Sequence, residues 1–187
     1  MSNFSDKVWW TRKAKIKAER RLLDLDRYSQ FLLLWYSIFL AFYSIYTLVN
    51  PAKNSTESAI MVALSVSILV LTLFINNMNY KGRAMLLKIS YEQLSLIYTR
   101  AIAGESSTDL DKEYQAILSA SENHLERDFI KAIVDEDNNS TDKSTLTKAP
   151  RIWHRLTVFY YAASGFLFFL FLFLFPFLVM CFLRSGL

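Results

Sequence analysis

Apolar and polar positions are segregated along this chain into long blocks. Residues 31–49, FLLLWYSIFLAFYSIYTLV, run nineteen positions without a charge. Residues 59–75, AIMVALSVSILVLTLFI, run seventeen and extend through Asn76 to Met78, and residues 156–183 run twenty-eight. At 1.5 Å of rise per residue, a helix of about 20 apolar residues, range roughly 17–25, crosses a hydrocarbon core about 30 Å thick. All three blocks are long enough. Asn50 to Ser58 separates the first two by only nine residues, which predicts a transmembrane hairpin. No polar segment is long or apolar enough to wrap and bury three such helices, so the chain reads as a membrane protein.

The intervening blocks carry a different period. Residues 76–103 contain no Pro, and Gly82 is their one Gly, so they continue the second span as one long inner helix that stops at Gly104. Residues 105–109, ESSTD, read as a turn with Thr108 or Asp109 as the next N-cap. Leu110, Tyr114, Ile117, Leu118, Ser121, Leu125, Phe129, Ala132 and Ile133 then follow a 3–4 spacing, the mark of an amphipathic helix. It is expected to fold back on the first inner helix through Leu86, Ile89, Leu94, Ile97 and Ala101. Residues 135–148, DEDNNSTDKSTLTK, read as a mobile polar linker. The fold class is therefore an all-α membrane protein. A basic juxtamembrane helix (1–30) precedes a transmembrane hairpin (31–78) and a cytoplasmic antiparallel helical hairpin (79–134). A linker (135–150) and a third, C-terminal transmembrane helix (151–187) complete it.

Composition narrows the alternatives. The 187 residues are 53% hydrophobic and 20% charged, against 45–50% and about 25% in typical soluble domains, with only four Gly and three Pro. Disorder, collagen-like repeats and turn-rich β folds are excluded. Thirty polar residues precede the first span, which does not fit a cleavable signal peptide.

The net charge of +4 is unevenly placed. Residues 1–30 hold eight Lys/Arg against four acids, the loop 50–58 balances Lys53 with Glu57, and residues 76–155 hold eleven basic and twelve acidic residues. Arg20, Arg21, Arg27, Lys81, Arg83, Lys88, Lys148, Arg151 and Arg155 crowd the membrane edges of the two polar segments. Positive segments stay inside. The expected topology has a cytoplasmic N-terminus and a periplasmic C-terminus in a bacterial inner membrane, with Trp35, Trp153, Tyr160 and Tyr161 near the inner span ends. The arm WWTRKAKIKAERR interleaves aromatic and cationic residues as some nucleic-acid binders do. Lipid head groups are the stronger reading for Arg12, Lys13, Arg20 and Arg21, at about 1 kcal/mol per cation near an anionic surface. Trp9, Ile16 and Leu23, seven apart, give that helix an apolar face for a partner helix or the lipid interface.

Polar residues inside the spans form stripes. In the first, Tyr36, Ser37, Tyr43, Ser44 and Thr47 fall within an arc of about 120°. In the second, Ser58, Ser65, Thr72, Asn76 and Asn79 fall within about 60°. Tyr36, Tyr43, Ser44, Thr47, Ser65, Thr72 and Asn76 are therefore candidate pore-facing residues when several copies assemble. The competing reading is hydrogen bonding across helix contacts, worth roughly 0.6–2 kcal/mol in lipid. The third span is Phe- and Leu-rich on every face, which suits lipid contact, and Pro176 is expected to bend it.

Chemistry is sparse. Two His and one Cys provide neither a disulfide nor a zinc site, and no phosphate loop or nucleophile elbow occurs. No cofactor or metal is expected. Asn54-Ser-Thr matches a glycosylation triplet. The segment ENHLERD, 122–128, places His124 and Asp128 four apart, so Asn123, His124 and Asp128 are candidates for a structural or coupling role between helices.

The order of these segments resembles the SLATT family, the SMODS- and SLOG-associating two-transmembrane effectors of bacterial anti-phage systems. The resemblance rests on WWTRKAKIKAERRL, the close pair of spans, NYKGRAMLLKISYEQLSLIY and YQAILSASENHLERDF, and covers roughly residues 7–135. The most specific match is Tyr114, Ile117 and Leu118 followed by Glu122, Asn123, His124 and Asp128. The third span departs from the two-span plan and looks like an extension carried by some branches. The resemblance implies a non-enzymatic homo-oligomeric effector that breaches the inner membrane when a partner senses infection. That partner would be a reverse transcriptase or nucleotide cyclase encoded nearby. A membrane anchor that recruits a cytosolic defence enzyme and conducts nothing is the alternative.

Overall fold

The computed structural model describes residues 3–50 and 55–185; Lys53 and Asn54, the first residue of the glycosylation triplet, lie outside them. Every regular element among these residues is helical. Six α-helices follow in order, α1 (Asn3–Val49), α2 (Ser55–Asn77), α3 (Tyr80–Ile102), α4 (Ser107–Ser119), α5 (Glu126–Asn139) and α6 (Ile152–Ser185), with a single 3-10 turn at Lys143–Thr145. By length and composition three helical stretches can cross a membrane, Phe4–Val49, Glu57–Ile102 and Ile152–Phe182. The chain forms two compact units, the first from Met1–Asp24 and Tyr80–Ala163, the second from Leu25–Asn79 and Ser164–Leu187.

Unit 1 is a helical bundle with two apolar centres. Val8, Leu94, Ile97, Leu110 and Tyr114 bury together, with Phe4, Tyr98, Ala101, Ile117 and Leu118 packed around them. Ala18, Leu22, Ala84 and Leu87 form the other. The start of α1 is thus a full member of the bundle. Its buried side runs through Val8, Ala14, Ala18 and Leu22, where small residues admit close helix approach, while Leu23 stays 36% exposed. The Trp9–Ile16–Leu23 face is a separate one, with Trp9 and Ile16 half-buried. On α3 the buried residues are Ala84, Leu87, Ser90, Leu94 and Ile97, so Leu86 and Ile89, expected in the contact, point outward instead. Ser90 sits on this face because its hydroxyl meets Ser121.

Three boundaries differ from the sequence reading. The long inner helix is interrupted: α2 ends at Asn77, and Asn79 takes a left-handed φ of 46° before α3 begins. Asparagine tolerates that conformation at a helix C-terminus, and Asn76, Asn77 and Asn79 crowd this point. Gly104 does end α3 as expected, at φ 88°, with Glu105 N–H reaching back to the Arg100 carbonyl at 3.3 Å. The amphipathic stretch after it is two helices, separated by the non-helical residues 120–125. Finally, α5 runs to Asn139, five residues into the expected linker, whose remainder is tied down: Trp10 Nε1 donates to Thr147 Oγ1 at 2.8 Å.

Unit 2 contains the membrane-length segments. Leu25–Val49 of α1 and the unit's part of α6 share an aromatic ladder. Tyr28 and Phe31 meet Phe169, Phe31 and Trp35 meet Phe173, and Trp35 and Phe39 meet Phe177, with centroids 4.6–6.4 Å apart. The third apolar block therefore has a protein-facing side besides the exposed Phe166, Phe168 and Phe171 that suit lipid. Pro176 lies inside α6. Lacking an N–H, it leaves the Leu172 carbonyl without its i+4 donor. Tyr36 Oη–H donates to that carbonyl at 2.8 Å, and Trp35 Nε1 donates to the neighbouring Phe173 carbonyl at 3.0 Å. In hydrocarbon an orphan carbonyl costs several kcal/mol, so these two side chains make the proline tolerable.

Candidate functional site

The polar residues of unit 1 converge on the break between α4 and α5. Lys15 of α1 is fully buried, its Nζ donating to Ser121 Oγ at 2.6 Å and to the Glu122 carbonyl at 3.3 Å. Burial lowers the Lys15 pKa, and the Glu122 charge partly opposes this. Arg83 of α3 donates twice to Glu122 Oε2, at 2.9 and 2.6 Å. Arg21 of α1 holds Asp128 bidentately, Nε to Oδ1 at 2.9 Å and Nη2 to Oδ2 at 3.1 Å. Asp128, 3% exposed, also accepts the Leu125 N–H at 3.0 Å, the cap that starts α5. One carboxylate thus begins a helix and ties it to α1.

The expected candidates divide here. Asp128 caps α5 and binds Arg21. His124 is not one helical turn away from it; it lies in the break, beside the half-exposed Leu125, because α5 begins only at Glu126. Its pKa is lowered by burial, with Asp128 opposing and Lys15 reinforcing. Asn123 is exposed, and its Oδ1 accepts the His124 N–H at 3.0 Å, a local bond that competes with helix and helps explain the break. Glu122 Oε1, His124 Nδ1, Arg12 Nε and Arg127 Nε are buried without a hydrogen-bond partner.

Two of the four expected lipid-facing cations are engaged inside unit 1. Arg21 belongs to Asp128, and Lys13 pairs with Glu136 at 2.8 Å. Arg12 is half-buried, whereas Arg20 is exposed. Lys17 with Asp135 at 2.6 Å adds a third rung between α1 and α5. As α1 residues advance through 13, 17 and 21, their α5 partners retreat through 136, 135 and 128, an antiparallel pairing whose register the charges set. The signal was present in the sequence as cations spaced by four on α1 and acids at both ends of α5.

In unit 2 the expected pore-facing residues also divide. Tyr36 serves the Leu172 carbonyl, and buried Tyr43 donates to the Glu57 carboxylate, so both are spent within one copy. Thr47, Ser65 and Thr72 hydroxyls donate to carbonyls of their own helices, those of Ser44, Val62 and Ile68. Ser44, Ser65 and Asn76 are exposed, and Thr72 is half-exposed. A small apolar crevice lined by Tyr36, Phe39, Leu64, Ile68 and Pro176 is too small for an organic ligand. Among the described residues no cluster of His, Cys, Asp or Glu could hold a metal ion.

These features together define a membrane protein with an ion-paired helical bundle. The chain belongs to the family described as SMODS and SLOG-associating 2TM effector domain family 5, which it matches over residues 1–182. It is thus a membrane effector domain of the SLATT type, a class tied to SMODS and SLOG defence systems, and the match takes in all three apolar blocks. No curated protein and no solved structure matches the chain.

Proposed function

We propose that this protein is a homo-oligomeric inner-membrane effector of an anti-phage, abortive-infection system. It opens a pore or disrupts the bilayer when a cytosolic partner that senses infection, a reverse transcriptase or nucleotide cyclase, engages unit 1. The N-terminus is cytoplasmic and the C-terminus periplasmic, as the basic N-terminal arm favours. The reading is carried by one observation: the most apolar stretch of α2 has no buried residue within one copy, and α2 presents Ser65 and Asn76 on the same exposed surface. Such a helix gains by meeting further copies, and its polar stripe then has a place away from lipid. The effector needs no catalysis, and the polar residues at the α4–α5 break serve as the joint through which unit 1 rearranges.

The anchor reading is favoured by a different observation, the internal satisfaction of the Thr47, Ser65 and Thr72 hydroxyls. Phage protection with paired variants separates the two. Ser65→Leu with Thr72→Leu removes the stripe and retains the spans, while Leu118→Asp damages unit 1. A pore requires both regions, so both variants lose protection. Full protection by the Ser65→Leu/Thr72→Leu chain would leave only the anchor.

A further inference from the structure

We propose that unit 1 has a lipid-docking face of its own, the outward side of the first turns of α6, seated where lipid head groups meet acyl chains. Ile152, Trp153, Leu156, Phe159 and Tyr160 are spaced i, i+1, i+4, i+7 and i+8, so they share one side of the helix. All five are exposed: Ile152 by 78%, Trp153 by 75%, Phe159 by 72%. The helix is tied to α5 at the flank of this face. Arg155 donates to Asp137 Oδ2 at 2.5 Å and to Asn138 Oδ1 at 3.0 Å, and the Arg127 guanidinium lies 5.5 Å from the centroid of the Tyr161 ring.

Length and chemistry name the occupant. The charge-free stretch has twenty-eight residues, and unit 1 ends at Ala163 inside it. The twenty residues from Ser164 to Leu183 suffice for a hydrocarbon core of about 30 Å. That leaves Leu156–Ala163, about 12 Å of helix, too apolar for water and surplus to the span. Trp and Tyr are the residues that concentrate at membrane interfaces, their rings apolar and their N–H or O–H wet. Arg151, exposed, stands immediately before them, where anionic head groups attract cations. The face is continuous in sequence with a membrane-length helix, so lipid is the partner already at hand.

This inference rests on the membrane reading above, and the test separates the two. Cys181, the chain's sole cysteine, is replaced by Ser. Trp153→Cys, Leu156→Cys or Phe159→Cys then carries a spin label in the full-length protein, in vesicles of phosphatidylethanolamine and phosphatidylglycerol. Labels at Lys131 of α5 and Leu174 of α6, both exposed, serve as references. The docked face predicts that collisions with oxygen exceed those with a water-soluble nickel chelate several-fold more at 156 and 159 than at 131, with values between the two references. Nickel collisions as frequent as at 131 would overturn the docking and leave the span intact. Low collisions with both agents, with dipolar broadening lost on dilution by unlabelled chains, would also overturn it in favour of a second copy. Leu174 reading as aqueous would remove the membrane reading and the docking together.

Discussion

In unit 1, cations of α1 meet carboxylates of α5 along a ladder of ion pairs, whereas in unit 2 the same helix meets α6 through aromatic rings and two hydrogen bonds to carbonyls. One helix has two adhesives. Water explains the change. Where solvent reaches the rims, charged pairs are cheap to keep and set register by sign; where hydrocarbon is the solvent, a charge is costly and a stray carbonyl must find a donor. Each unit is therefore most vulnerable where one group does two tasks. Asp128 caps α5 and binds Arg21; Tyr36 packs against α6 and supplies the donor that Pro176 lacks.

Substitutions can break that contrast at several depths. The largest effect is expected at Asp128: Asp128→Ala strands a half-buried guanidinium and removes the α5 cap, costing about 3–5 kcal/mol. Thermal unfolding in lipid nanodiscs, with hydrogen exchange localising the loss to α5, measures it. In unit 2, Tyr36→Phe should cost about 1–3 kcal/mol by orphaning the Leu172 carbonyl. Pro176→Ala restores the helical donor, so the Tyr36→Phe penalty should shrink in that background. A double-mutant cycle reads the coupling, and full additivity would remove Tyr36 from its assigned task.

A smaller effect concerns pH. His124 has a folded pKa below its ordinary value of 6.5, so the unfolded chain takes the proton first. Unit 1 keeps its full stability above that pH and loses it as the pH falls below it toward the folded value. Between roughly pH 7.5 and 5.5 the loss should be about 1 kcal/mol or less and should vanish in His124→Leu, which denaturation midpoints at the two pH values check. Smallest is Lys7→Ala. Its pair with Asp111 is about half exposed at both ends, and removal should cost less than about 0.5 kcal/mol.

Much of this was legible in the residues because each block obeys one period. The three apolar blocks and the Gly104 stop announce themselves, since length without charge and a left-handed Gly are local signals. What escaped depends on partners far along the chain. That Leu87 rather than Leu86 is buried follows from α1 joining the bundle, which α3's own pattern does not encode. The α4–α5 break escaped because Ser121, Leu125 and Phe129 keep helical spacing across it; only Asn123 and the Asp128 cap hint at a restart. Tyr36 and Tyr43 look like a polar stripe in sequence, yet one answers a proline 140 residues away and the other a glutamate across the hairpin.

The most direct test of the proposed mechanism is membrane potential in infected cells. A potential-sensitive dye is followed during phage challenge in cells carrying the protein with its neighbouring genes. The account predicts depolarisation before lysis with the unaltered chain, and an unchanged potential together with lost protection when Ser65→Leu and Thr72→Leu are combined. Protection of the culture with the potential intact would contradict it.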